Sequence, residues 1–114
     1  MLEEHQEKFM TEMRNSGTVI LVEGKRDRKV LEKAGLTNII EISGKQLEKV
    51  ADIINGCETK VTILTDYDKE GIKQYTRLRD LLLTQGTKID DRLRRDFKRT
   101  FLVNKIEELV DYFK

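Results

Sequence analysis

The chain has 114 residues, 38% of them charged and 38% hydrophobic, with a formal net charge of +1; that size suits one domain around a single modest core. No apolar run is long enough to cross a bilayer, and the opening MLEEHQEKFM lacks the apolar core of a secretory signal, so a cytoplasmic protein with no membrane partner is expected. The near-neutral charge means that any attraction for a polyanion must be local, and one cysteine, Cys57, excludes both an internal disulfide and a structural zinc site built on paired thiols.

Leu2, Phe9, Met10 and Met13 fall on one helical face, which predicts a helix over residues 2–14, ended by Asn15-Ser16-Gly17. TVILV, residues 18–22, is rich in β-branched residues, uninterrupted and too short for a helix. That is how a strand covered on both faces reads. Val30, Leu31 and Ala34 follow at helical spacing, with Gly35 in the C-cap place. NIIEI is a second short strand. Leu47, Val50, Ala51 and Ile54 form a stripe of helical period closed by Gly56, and Cys57 beyond it reads as a buried or half-buried small hydrophobe. KVTILT is a third strand, and Ile72, Tyr75, Leu78 and Leu82 mark a longer helix ended by Gly86. Thr87 to Ile89 fit a short fourth strand. Asp90 can cap a helix carrying Leu93 and Phe97, and Asn104 with Glu107 resembles a capping box for a last helix carrying Ile106, Leu109, Val110 and Phe113.

This alternation predicts an α/β fold with right-handed crossovers. Its centre would be a mainly parallel sheet of about four strands, with helices on both faces. There is no proline, no linker-like stretch and no internal repeat. Residues 1–16 are expected to form an N-terminal helix, 17–90 the core, and 91–114 a helical extension packed on the same domain.

In a parallel sheet all strand C-termini lie on one edge, where open α/β folds place their sites. TVILV runs into Glu23, and KVTILT runs into Asp66, with Asp68 two residues on. Converging carboxylates repel, and a divalent cation relieves them. Magnesium prefers oxygen ligands and takes one or two carboxylates together with substrate phosphates. Asp66 and Asp68 have the charge and spacing for this, Gly71 allows a close backbone approach, and Glu23 can complete the metal site or move a proton. Taken singly, each acid has a plainer reading, since Asp68 could merely cap the helix bearing Ile72. Calcium is excluded, because the twelfth position counted from Asp66 is Arg77, where an EF-hand needs glutamate. No G-x-x-x-x-G-K-[ST] phosphate loop occurs, and the only histidine, His5, lies outside the strand-end edge.

VILVEGKRD resembles the first motif of the Toprim domain, a hydrophobic run followed by E-G-x-x-D, and ILTDYDKEG resembles the second, followed by D-x-D-x-x-G. The likeness covers roughly residues 17–90 and implies the three-layer, Rossmann-like Toprim fold. It implies general acid or base duty for Glu23 and coordination of magnesium, or manganese in its place, by Asp66 and Asp68 with Glu23 beside them. Gly24, Asp27 and Gly71 match supporting positions. Toprim domains occur in topoisomerases, bacterial primases, OLD-family nucleases, recombination mediators and a ribonuclease that matures 5S ribosomal RNA. A nucleophilic-tyrosine domain with a clamp, a zinc module or an ATPase finds no room here. The expected type is therefore a small stand-alone Toprim protein akin to the 5S maturation ribonuclease without its larger extension.

Positive charge gathers beside these motifs. Lys25, Arg26, Arg28 and Lys29 follow Glu23, and Lys69 and Lys73 flank the second motif. In RLRRDFKR, Arg92, Arg95 and Arg99 would line one helix face, suited to a phosphate backbone, although a solvated face explains such a run equally well. The leading expectation is a magnesium-dependent enzyme of nucleic-acid phosphodiesters, RNA or DNA, most simply a nuclease. The alternatives are a non-catalytic module binding nucleic acid or a protein in a repair or processing complex, and an enzyme of small nucleotides. A protein partner or a homodimer stays open.

Overall fold

The computed structural model describes residues 2–56 and 59–113, so Cys57 and its expected burial lie outside the described residues. The elements run α1 (Glu4–Asn15), β1 (Val19–Val22), α2 (Lys25–Lys33), β2 (Ile39–Glu41), α3 (Leu47–Ile54), β3 (Val61–Ile63), α4 (Lys69–Thr84) and α5 (Asp91–Phe101), followed by a 3-10 helix (Ile106–Asp111). Among the described residues no helix is long and apolar enough to cross a membrane.

The three strands form a parallel sheet in the order β2-β1-β3. Ile20 lies opposite Ile39 on one side, and Leu21 opposite Ile63 on the other. Because side chains alternate along a strand, Ile20 and Val22 enter one apolar cluster while Leu21 enters another. The first cluster joins Met10 and Met13 of α1, Leu31 of α2, Phe97 and Phe101 of α5, and Ile106 and Leu109 of the 3-10 helix. The second joins Val50 and Ile54 of α3 to Leu78 and Leu82 of α4 across Val61 and Ile63. The sheet is thus covered on both faces, as the unbroken apolar run of β1 requires.

Two details differ from expectation. The fourth strand shrinks to one parallel bridge between Val61 and Ile89. Asp90, one residue later, already accepts from the Leu93 N–H at 3.0 Å and opens α5, so the chain leaves the sheet edge after a single rung. The last helix is 3-10 and is capped at Lys105, whose N–H donates to the Glu108 side chain at 2.8 Å. Asn104 is used otherwise: its carbonyl accepts from the Tyr67 N–H at 2.6 Å, and its side chain accepts from Lys98 Nζ at 2.6 Å.

Candidate functional site

The Glu23-Gly24 step leaves β1 in extended backbone and opens α2. Gly24 is the N-cap, and its N–H donates to Asp27 Oδ2 at 3.2 Å. The E-G-x-x-D spacing is therefore first a capping device: the third helical residue turns back and aims its carboxylate at the strand end. After β3, Asp68 caps α4 by accepting from the Gly71 N–H at 2.8 Å, so the plainer reading of Asp68 holds locally. Gly71 has a separate reason to be glycine. A Cβ there would lie 2.1 Å from the Asp66 carbonyl oxygen, so α4 meets the strand end backbone to backbone. Thr65 Oγ1 secures this contact by donating to the Gly71 carbonyl at 2.7 Å.

Glu23, Asp27 and Asp66 each bring one carboxylate oxygen within 4.8 Å of the others. Asp66 and Asp27 are only 8% and 7% exposed, and Glu23 is half-buried. Burial, then hydrogen bonding to Asp66 and the charges of Asp66, Asp27 and Asp68, push the Glu23 carboxyl up to about 7. Burial and the charge of Asp66 raise Asp27 to about 6, against the Gly24 N–H, which pulls it down. Crowded, partly desolvated carboxylates hold protons until a cation replaces them. An all-oxygen donor set fits a hard divalent ion such as magnesium. The trio differs from the sequence expectation by one member: Asp27 stands in it, and Asp68 lines the same cleft beside it.

Glu23 and Asp66 of the trio, with Asp68, line a cleft of about 790 Å³. Lys45, Lys73, Arg77 and Lys105 also line it together with Glu70, so the acids face a rim richer in cations than in further acid. Arg77 is tied to Glu48 of α3. Gln74 lines the same cleft, with a buried Oε1 that has no partner among the described residues. Lys25, Arg26 and Lys69, named from the sequence, are exposed and are not among the residues lining this cleft. Arg26 stands 3.8 Å from Glu107, over the groove between α2 and the 3-10 helix.

The expected arginine stripe is divided. Arg92 turns to Glu12 of α1 and to Asp96, both at 3.1 Å. Arg95 and Arg99 are exposed over a different groove, between α4 and α5. Their neighbour Arg94 is buried, 7% exposed. Its guanidinium donates to the carbonyls of Ile63 (3.1 Å), Thr65 (2.7 Å) and Asp66 (3.2 Å), and lies 4.4 Å from the ring centroids of both Tyr67 and Tyr75. Burial lowers its pKa from the ordinary value, yet a guanidinium stays charged. Arg94 thus clamps the backbone that presents Asp66. From the far end of the chain the Ile106 N–H donates to Asp66 Oδ1 at 2.9 Å. Arg94 did leave a sequence signal, since it falls inside the Leu93-Phe97-Phe101 apolar stripe; Ile106 left none, because its partner lies 40 residues away.

Residues 17–91 match the Toprim domain family. A UPF0292 protein of Pyrococcus furiosus is 40% identical over 113 residues, covering 95% of this chain and 83% of that one. A UPF0292 protein of Pyrococcus horikoshii is 36% identical over 93 residues, 81% of this chain and 70% of that one. Among solved structures, a protein from Aquifex aeolicus aligns with a TM-score of 0.80 at 35% identity, over 89% of this chain and 94% of its own.

Proposed function

The chain belongs to the Toprim domain family, and from that premise we propose that it is a magnesium-dependent enzyme of nucleic-acid phosphodiester bonds, most simply a nuclease or an RNA- or DNA-processing protein. The observation that carries this reading is the carboxylate trio, with oxygens of Glu23, Asp27 and Asp66 within 4.8 Å of one another, two of whose members, Glu23 and Asp66, line a cleft that also carries lysines. Glu23, Asp27 and Asp66 would hold the ion, with Asp68 beside them. When bound, magnesium supplies Lewis-acid polarisation of a phosphodiester oxygen. The rest of the chemistry belongs to the chain. Lys45, Lys73 and Lys105 draw the phosphate backbone into the cleft. In the metal-free chain the Glu23 carboxyl is raised to about 7, so it would give up its proton to take the ion, or, where Asp27 and Asp66 hold the ion without it, hold or release that proton as a general acid or base. Arg94, through the Asp66 carbonyl, and the Ile106 N–H, through Asp66 Oδ1, would hold Asp66 in place.

A second reading is a non-catalytic module that binds nucleic acid or a protein partner in a repair or processing complex. It is favoured by the fact that Asp66 and Asp68 each already spend an oxygen on a backbone N–H, at 2.9 and 2.8 Å. Magnesium and manganese titrations followed by NMR, on wild type and Asp66→Asn, with RNA and DNA cleavage assays beside them, separate the two. Metal-induced shifts centred on Glu23, Asp27 and Asp66 together with turnover support the enzyme. Nucleic-acid binding without metal shifts and without turnover supports the module and overturns the enzyme.

A further inference from the structure

The groove between α4 and α5 lies on the other side of the Asp66-Tyr67-Asp68 turn. Asp66 and Asp68 line the acid cleft, and Tyr67 between them lines this groove. Its volume is about 660 Å³. Arg94 is nine-tenths buried against it, and no carboxylate pairs with its guanidinium among the described residues. A buried charge normally has an ionic partner. Arg94 has only three carbonyls, so of its five N–H donors two have no acceptor among the described residues.

The rim repeats the pattern. Lys98, one helical turn after Arg94, reaches only neutral acceptors among the described residues, the Val103 carbonyl at 2.9 Å and the Asn104 side chain at 2.6 Å, and sits 5.6 Å from the Tyr67 ring centroid. Arg95 has no carboxylate partner among the described residues, and Arg99 only grazes Asp96 at 3.9 Å. Arg94 with Lys98, and Arg95 with Arg99, are therefore like charges one turn apart, an arrangement that is unfavourable until an anion lies over it. The two carboxylates in the groove do not serve: Asp91 is held by Arg79 at 2.9 Å and by the Tyr75 hydroxyl at 2.6 Å, and Asp80 is exposed at its edge.

We infer that this groove is a second, phosphate-binding site, and that it holds the backbone of the nucleic-acid strand whose reacting phosphodiester enters the acid cleft. The inference rests on the function proposed above in its choice of a strand. Its phosphate chemistry stands on Arg94, Arg95, Lys98 and Arg99 alone. Recognition there is independent of base sequence, because the ring face that Tyr67 and Tyr75 each turn to Arg94 is already covered by the guanidinium.

The test uses fluorescence anisotropy with labelled single-stranded RNA and DNA across a salt series, and NMR titration with inorganic phosphate. Arg95→Glu/Arg99→Glu alters two exposed side chains, and Lys33→Glu/Lys49→Glu applies the same charge change away from the groove. The expected result is at least about a tenfold loss of oligonucleotide affinity in the first variant, with the slope of log K against log salt shallower by about 1.5. The control should stay near wild type, and phosphate should shift the amides of Arg95 and Lys98. A wild-type slope in Arg95→Glu/Arg99→Glu, or an equal loss in the control, overturns the strand site. If wild type binds no oligonucleotide, the function proposed above fails with the strand. The groove as a phosphate site then survives only on those amide shifts, and their absence overturns it as well.

Discussion

On one side of the turn at residues 66–68 three carboxylates crowd together, and on the other an arginine lies buried with no ion-pair partner among the described residues. The two sides share one stretch of backbone, yet they are assembled differently. The acid side comes from residues at strand ends and in the first turns of α2 and α4, where caps and a close glycine contact orient them. The basic side comes from α5, which must dock on the sheet before Arg94 can reach the carbonyls of β3 and the turn. Local hydrogen bonding orients the acids of one side before the elements meet, and packing between distant elements builds the other.

The largest effect should fall on the acid side. Asp66→Asn should cut magnesium-dependent activity by at least about a hundredfold, about 2.7 kcal/mol of barrier. The fold should survive, because an amide oxygen can still accept from the Ile106 N–H. A nuclease assay beside a melting curve checks both halves, and full activity would remove Asp66 from the site. Gly71→Ala should strike both sides at once. Its new Cβ meets the Asp66 carbonyl at 2.1 Å, and a loss of about 3 kcal/mol or more is expected in urea unfolding. Arg94→Met leaves three buried carbonyls without a donor and should cost about 2–3 kcal/mol. Wild-type stability in that variant would mean the clamp is idle. Asp68→Ala removes the cap of α4 and should cost about 1 kcal/mol of stability, whereas Asp68→Asn should keep nearly all of it.

A last effect should appear in pH. Glu23 rises from 4.5 to about 7 on folding, and Asp27 from 3.8 to about 6. Across those intervals the folded chain holds protons that the unfolded chain has released, so metal-free stability should fall as pH rises from about 4 towards 7. The melting temperature in EDTA should drop by a few degrees between pH 5 and pH 8, and Glu23→Gln should flatten the drop. A melting temperature that instead rises over this range would contradict the crowding of the trio.

Much of the acid side was legible beforehand because its determinants are short-range. An unbroken β-branched run announces a strand covered on both faces, and Ile20, Val22 and Leu21 do enter opposite clusters. The places of Glu23 and Asp66 follow from where β1 and β3 end, and the need for glycine at position 71 follows from close approach. The division of labour between Asp27 and Asp68 was not legible. Both motifs offer caps and carboxylates, and only the relative placement of α2 and α4 decides which oxygen joins the trio.

The sequence by itself determined the layered α/β order, the parallel strands and the edge on which acid collects. Those features rest on periodicity, capping and chain ends, which act over a few residues. The tertiary structure decided the remainder. It reduced the fourth strand to one bridge, sent Arg92 to α1, buried Arg94 under two tyrosines and brought the Ile106 N–H to Asp66. Each of these outcomes depends on how helices seat against the sheet across tens of residues, and no local pattern encodes that distance.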